Sequence, residues 1–267
     1  MHYDKPGPGI SKDAPPPKAV PRFFSILGRK FFDFIKLNLL FCIPTVIVFL
    51  LTLLIARITS YTYLILLPVI LLFPFLAGLT LVTRNYAREE HAFIFSDFFD
   101  AVKENWKNFL IDGVICYLLA ILFSISIPYY VSMSTHGILY FIAAAICSGF
   151  CLLVVFSQYY IPVMIVTFDL NMKQILKNSL IFSILGIWRN LLVTVVIAVF
   201  ALLLYLSQIM ALTITIAAVF MIFLIFSLVS FLINFAVYPL IKKMMIDPYT
   251  TNQNQNGEGD GRTGDRQ

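Results

Sequence analysis

The chain has 267 residues, 60% of them hydrophobic and 12% charged, with a net charge of +5. A soluble domain carries about 45–50% apolar and about 25% charged residues, so both departures point to a membrane protein and exclude an ordinary soluble enzyme. The basic excess is modest and interspersed with acids; it suits an anionic leaflet, worth about 1 kcal/mol per well-placed cation, rather than nucleic acid.

Residues 1–21 are rich in Pro and Gly, residues 248–267 in Asn, Gln and Gly. Neither can bury a core, so both read as disordered tails around one membrane domain over 22–247. The first apolar stretch begins near Phe31 and continues as a full span, so no cleavable signal peptide is expected. A span needs roughly 20 apolar residues, and six runs qualify: 35–57, 61–83, 108–131, 138–168, 190–210 and 213–241. Pro44, Pro68, Pro74 and Pro162 fall inside them and predict kinks, since neighbouring helices can satisfy the freed carbonyls. With both termini on one side, that side collects all Lys and Arg except Arg57, and all 14 acids. Cations mark the cytoplasmic face, so both termini are expected there.

Residues 105–111 read NWKNFLI and residues 187–193 read IWRNLLV, and they hold the only two tryptophans, Trp106 and Trp188. Each phrase precedes an apolar run. An indole keeps its ring in apolar surroundings and its N–H near water, so both read as headgroup anchors. Upstream of Trp106, Phe95, Phe98, Phe99, Val102, Trp106 and Phe109 share one helical face, against Asp97, Asp100, Lys103, Glu104 and Lys107. This predicts an amphipathic helix in the interface. Met172, Ile175, Leu176 and Leu180 predict a second before Trp188, and residues 23–34 hint at a third before the first span. The pattern fits either a duplicated unit or similar anchors made independently.

Chemistry-bearing motifs are sparse. Arg88, Glu89, Glu90 and His91 cluster, but a CaaX-type intramembrane protease needs Arg four residues after the second Glu, and that position is Ile94. No His-Glu-x-x-His and no glycine-rich phosphate loop occurs, and Ile146 occupies the place where a rhomboid-like motif before Ser148–Gly149 requires Gly. Cys42, Cys116, Cys147 and Cys151 lie in apolar runs and read as small hydrophobes. No enzyme activity, cofactor or metal is expected. Within the spans Asp112 is the acid to explain; it lies about one turn inside, in reach of the interface and of Lys107 or Arg84 as partners. Gln158, Gln208 and Asn234 are the uncharged polar residues placed deeper, worth about 0.6–2 kcal/mol each as interhelical hydrogen bonds.

Residues 74–113, PFLAGLTLVTRNYAREEHAFIFSDFFDAVKENWKNFLIDG, resemble the YesL-like family of bacterial membrane proteins, a domain of unknown function. The features shared are Pro74, Ala77 and Gly78 in the second span; Arg84 and Glu89 at its end; then Phe98, Phe99, Lys103 and Trp106, with Asn38–Leu39–Leu40 in the first span. Trp106 departs from the Phe more usual there. The resemblance implies a multi-pass protein of the bacterial inner membrane, often associated with carbohydrate uptake by ABC importers, with no established reaction. The expectation is an all-α polytopic bundle of about six transmembrane helices with cytoplasmic amphipathic helices, embedded in the lipid bilayer. Its expected role is an ancillary or scaffold protein with Arg84, Glu89, Phe98, Phe99, Lys103 and Trp106 as the interaction surface. The alternative is a small transporter or channel for a neutral solute, with Asp112, Gln158, Gln208 and Asn234 as intramembrane polar residues.

Overall fold

A computed structural model describes residues 18–207 and 211–248. Among these residues every regular element is helical, and six helices are long and apolar enough to cross a membrane. A short helix, α1 (Ala19–Arg29), turns at Lys30 into α2 (Phe31–Ile58), the first span. The proposed tail boundary at residue 21 thus falls inside α1; residues 1–17 and 249–267 lie outside the described residues.

The second span is composite: α3 (Thr62–Leu66), a 3-10 stretch over Leu67–Leu72, and α4 (Phe73–Ala87). Pro68 opens the 3-10 stretch and Pro74 lies in the first turn of α4. Proline has no N–H to donate and crowds the carbonyl four residues back, so two prolines close together rewind this span's centre. Pro44 and Pro162, by contrast, sit within continuous helices.

The third span differs from expectation. The amphipathic segment and the span form one unbroken helix, α5 (Ile94–Met133). It is not straight. Phe98 lies against Gly78, and Gly113 against Phe73. Five residues separate the two partners on α4 and fifteen those on α5, about 8 Å against about 22 Å of ideal helix. Both contacts form only if α5 bends between them. Asn105, whose side chain donates to the Ala101 carbonyl at 3.0 Å, sits in that interval, and such back-bonding bends helices. The first third of α5 therefore leaves the axis of the span without a break in the chain.

The fourth span is α6 (Ile138–Ile165), and α7 (Met172–Leu185) follows it as a separate helix with a capping box at Asn171 and Gln174. The chain turns at Gly186 into α8 (Ile187–Leu206). A Cβ on Gly186 would collide with the Tyr160 hydroxyl, so close approach of α6 requires glycine here. That hydroxyl donates to Asn190 Oδ1 at 2.8 Å, and Asn190 Nδ2 donates to the Ser183 carbonyl at 3.0 Å, satisfying one of the last carbonyls of α7. The sixth span runs through α9 (Ala211–Phe220), a π-helical turn over Met221–Ile225, and α10 (Phe226–Ile241).

A break between amphipathic helix and span thus precedes the first and fifth spans but not the third. The two Trp phrases differ in packing too: Asn190 and Val193 are fully buried, whereas Ile111, which corresponds to Val193, is exposed. What they share is an exposed tryptophan beside a cation.

The core gathers at the charged end of the bundle, where Lys18 and Pro248, the ends of the described residues, and most of the described cations lie. One cluster joins α4, α5, α6, α7 and α10 through Phe109, Phe156, Tyr160, Phe182 and Val237. The other joins α1, α2, α4 and α10 through Ile26, Phe34, Phe41, Tyr86 and Phe231. Toward the opposite end the helices separate: beyond Val48 nothing in α2 is buried, and Ala144 is the only buried residue in the first half of α6. Lipid tails solvate such faces as well as another Leu would.

Candidate functional site: the charged end

Helix α1 is tied across this end by one carboxylate. Glu89 accepts from Arg22 Nε and Arg29 Nη2, each at 2.8 Å, while Arg22 Nη2 also reaches the Ala87 carbonyl at 3.2 Å. Glu89 has φ of 60°, a left-handed conformation that costs a residue other than Gly, Asn or Asp about 1 kcal/mol or more; the turn holds it where both cations converge. Beneath these pairs Phe23 stacks on Phe231, and Ile26 is buried.

Hydrogen bonds from Arg29 and then Arg22 hold the Glu89 carboxyl below its usual range. A carboxyl depressed by folding contributes stability above its unfolded value, about 4.3, which is lost as pH falls through the folded value. We expect Glu89→Gln at neutral pH to raise tryptic cleavage after Arg22 and Arg29 several-fold. Hydrogen exchange in α1 of the wild type, corrected for intrinsic pH dependence, should rise toward the variant's as pH drops below about 4. Unchanged cleavage would show that apolar packing alone seats α1.

Arg84 is buried rather than displayed. Its Nη1 donates to the Val166 carbonyl at 2.7 Å and to Thr167 Oγ1 at 3.0 Å, and its Nε and Nη2 reach Asn85 Oδ1. Val166 caps the C-terminus of α6, where unpaired carbonyls and the helix dipole favour a cation. The guanidinium therefore fastens α4 to α6 through neutral oxygens. The pairing of Asp112 with Arg84 or Lys107 is not observed; the Lys107 ammonium lies 5.6 Å from the Trp106 ring centroid.

The apolar face of the first third of α5 divides. Phe98, Ala101 and Phe109 point inward. Phe95, Phe99 and Trp106 form a stripe that stays exposed, with Lys103 beside it. Of the six proposed surface residues, then, Phe99, Lys103 and Trp106 are presented outward, Glu89 is engaged by α1, and Arg84 and Phe98 are internal. Periodicity identified the helix but not its two sides, because a side chain facing α4 and one facing outward are both apolar here.

The intramembrane polar residues form separate groups. Gln158 Nε2 donates to Asp112 Oδ1 at 3.2 Å across α5 and α6. Asn234 Nδ2 donates to Thr83 Oγ1 at 3.0 Å, and Thr83 pairs with Ser230 at 2.8 Å, joining α4 to α10. Gln208 lies outside the described residues.

Sequence reasoning missed the part played by Asn38. Its Nδ2 donates to the carbonyls of Met221 and Ile222 at 3.0 and 2.7 Å, and its Oδ1 accepts from the Ser227 amide at 2.9 Å. Met221 and Ile222 begin the π-helical turn and Ser227 follows it, and the widened winding there upsets the usual backbone pairing. One buried amide in an apolar span was the available signal; its partners, more than 180 residues away, were not.

Two cavities open between α5 and α6, both lined mainly by apolar side chains. The larger, about 410 Å³, lies among Leu122, Phe123, Ser126, Tyr130, Cys147 and Phe150. Among the described residues no three His, Cys, Asp or Glu side chains converge as a metal centre requires.

No curated protein and no solved structure shows a significant match to the chain. Residues 34–127, from the first buried phenylalanine of α2 through most of α5, match the model of the family described as protein of unknown function, DUF624. The match covers about a third of the chain and takes in the whole of residues 74–113, so this stretch of the six-helix membrane protein is similar to the DUF624, YesL-like family.

Proposed function

We propose that the protein is a scaffold of the bacterial inner membrane, with the charged end in the cytoplasm, that docks another membrane complex; the partner class is a carbohydrate importer of the ABC type. The observation that carries this reading is the form of the charged end. Packing and ion pairing concentrate there, and this firm base presents Phe99, Lys103 and Trp106 outward from a bent helix. Exposed aromatics beside a cation are the composition of interface anchors. The cytoplasmic orientation rests on the cation asymmetry, and the importer on the family resemblance. The role needs no reaction of its own.

The alternative, passage of a neutral solute, calls for a polar route. Gln158 and Asn234 belong to separate hydrogen-bond groups, tied to α5 and α4 respectively, so the scaffold is preferred. The test is a tagged pull-down from the native membrane after light cross-linking, with wild type beside a Phe99→Ser/Trp106→Ser variant. Both side chains are exposed, so the variant should fold. Stoichiometric recovery of importer subunits with wild type, reduced at least tenfold with the variant, is the expected result. Recovery of the wild-type protein alone at high yield overturns the scaffold reading.

A further inference from the structure

Asp112 is the one acid sealed within a span among the described residues, with 1% of its surface exposed. It lies just beyond the bend of α5, beside Gly113, whose missing side chain lets Phe73 pack closely. Its Oδ1 accepts from Gln158 Nε2, while its Oδ2 is buried without a protein partner. An ionised carboxylate in that position is costly unless paired, and the charged groups nearby are committed elsewhere. Lys107 on α5 lies on the Trp106 ring, and Arg84 of α4 binds Val166 and Thr167. From α6 the group on Asp112 is the neutral amide of Gln158, the neighbouring Tyr159 hydroxyl pairing with Thr194 of α8; on α5 itself Cys116 follows one turn on. Only neutral groups are left to answer the charge.

We propose that Asp112 is a proton-binding site of the membrane domain, taking up a proton when the α5–α6 seam is closed over it and releasing it when the seam opens to water. The proton adds to Oδ2 and neutralises the carboxylate; no other bond changes. A proton fits this site better than a metal cation because a single carboxylate and a single amide converge, whereas sodium or calcium needs about six oxygens. The seam is suited to such movement. Asp112 and Gln158 close it near the charged end, and farther along an apolar cavity lies between the same two helices, crossed by the edge-to-face contact of Phe123 with Phe150. The inference is independent of the docking role: it concerns the interior of the bundle, and its readouts need no partner.

The experiment uses the full-length protein in lipid nanodiscs, wild type beside Asp112→Asn, which keeps the shape and removes the titration. Infrared difference spectra between acid and alkaline pH should show the carbonyl stretch of a buried carboxylic acid in wild type and not in the variant. Cysteine labelling at Cys116 should speed up several-fold at alkaline relative to neutral pH in wild type, beyond the intrinsic thiol effect measured in the variant. Absence of the carboxylic-acid band in folded wild type overturns the proposal. So does a labelling rate that follows sodium concentration at fixed pH, which would make the ligand a metal cation. If Asp112→Asn fails to fold, Gln158→Leu supplies the second arm: it removes the only neutral donor, and the acid band should then persist to higher pH, with an unmoved band overturning the proposal.

Discussion

Asn38→Leu should lower the stability of the folded protein by about 2–4 kcal/mol, the largest loss expected from any single polar residue in the spans. The side chain answers the carbonyls of Met221 and Ile222 and the amide of Ser227. Leucine has similar bulk and no polar atoms, so the change leaves buried backbone groups unsatisfied, at about 1–3 kcal/mol each. Part of this is recovered if the π-turn rewinds to ordinary α-helix, which shifts the register of the sixth span against α2. Unfolding in mixed micelles, followed by tryptophan fluorescence, measures the loss. A cost below about 0.6 kcal/mol, the average for interhelical hydrogen bonds in membranes, would mean that the turn is stable without its clamp.

Gly78→Ala is expected to cost about 3 kcal/mol or more, although it adds one methyl. A Cβ there would collide with the Phe98 ring and stand 2.7 Å from the Phe98 carbonyl oxygen. The ring can turn aside; the carbonyl belongs to the backbone of α5 and cannot move alone. The helices must separate, and overpacking of a close contact commonly costs about 1–3 kcal/mol, occasionally more. The two causes separate in a Phe98→Leu background. If the backbone decides, Gly78→Ala remains almost as damaging there; if its cost vanishes, the ring was the obstacle. Because the contact helps define the bend, the variant should also loosen the first third of α5, seen as faster hydrogen exchange over residues 94–105.

The amphipathic segment before Trp106 shows where sequence reading succeeds and where it stops. Six apolar positions at helical spacing were enough to place a helix over 95–109, and the structure contains it. The same pattern gave no sign that the helix continues unbroken into the span, since an apolar run after a polar-faced turn reads alike with or without a break. Nor could it divide Phe98 from Phe99, adjacent and identical in kind: one is sealed against Gly78, the other open. Arg84 and Glu89 made a plausible surface because charged residues at the end of a span are usually exposed. One is instead fastened to the end of α6 and the other grips α1.

By itself the sequence determined that the chain is a membrane protein of six spans, that nearly all the charges of the described residues gather toward one end, and that Trp106 and Trp188 each stand ahead of an apolar run. These follow from hydropathy and local spacing, which act over a single turn or a single span and need no knowledge of neighbours. Only the tertiary structure decided what each polar residue holds. Asn38 reaches Met221, Thr83 reaches Asn234, and Asp112 faces Gln158 rather than Arg84. In a span the backbone satisfies itself, so no local rule assigns a partner to a lone polar side chain. The partner is whichever helix packs against it, and the packing of these apolar helices uses positions such as Gly78, Gly113 and Gly186, where atoms of a neighbouring helix fill the space a Cβ would take.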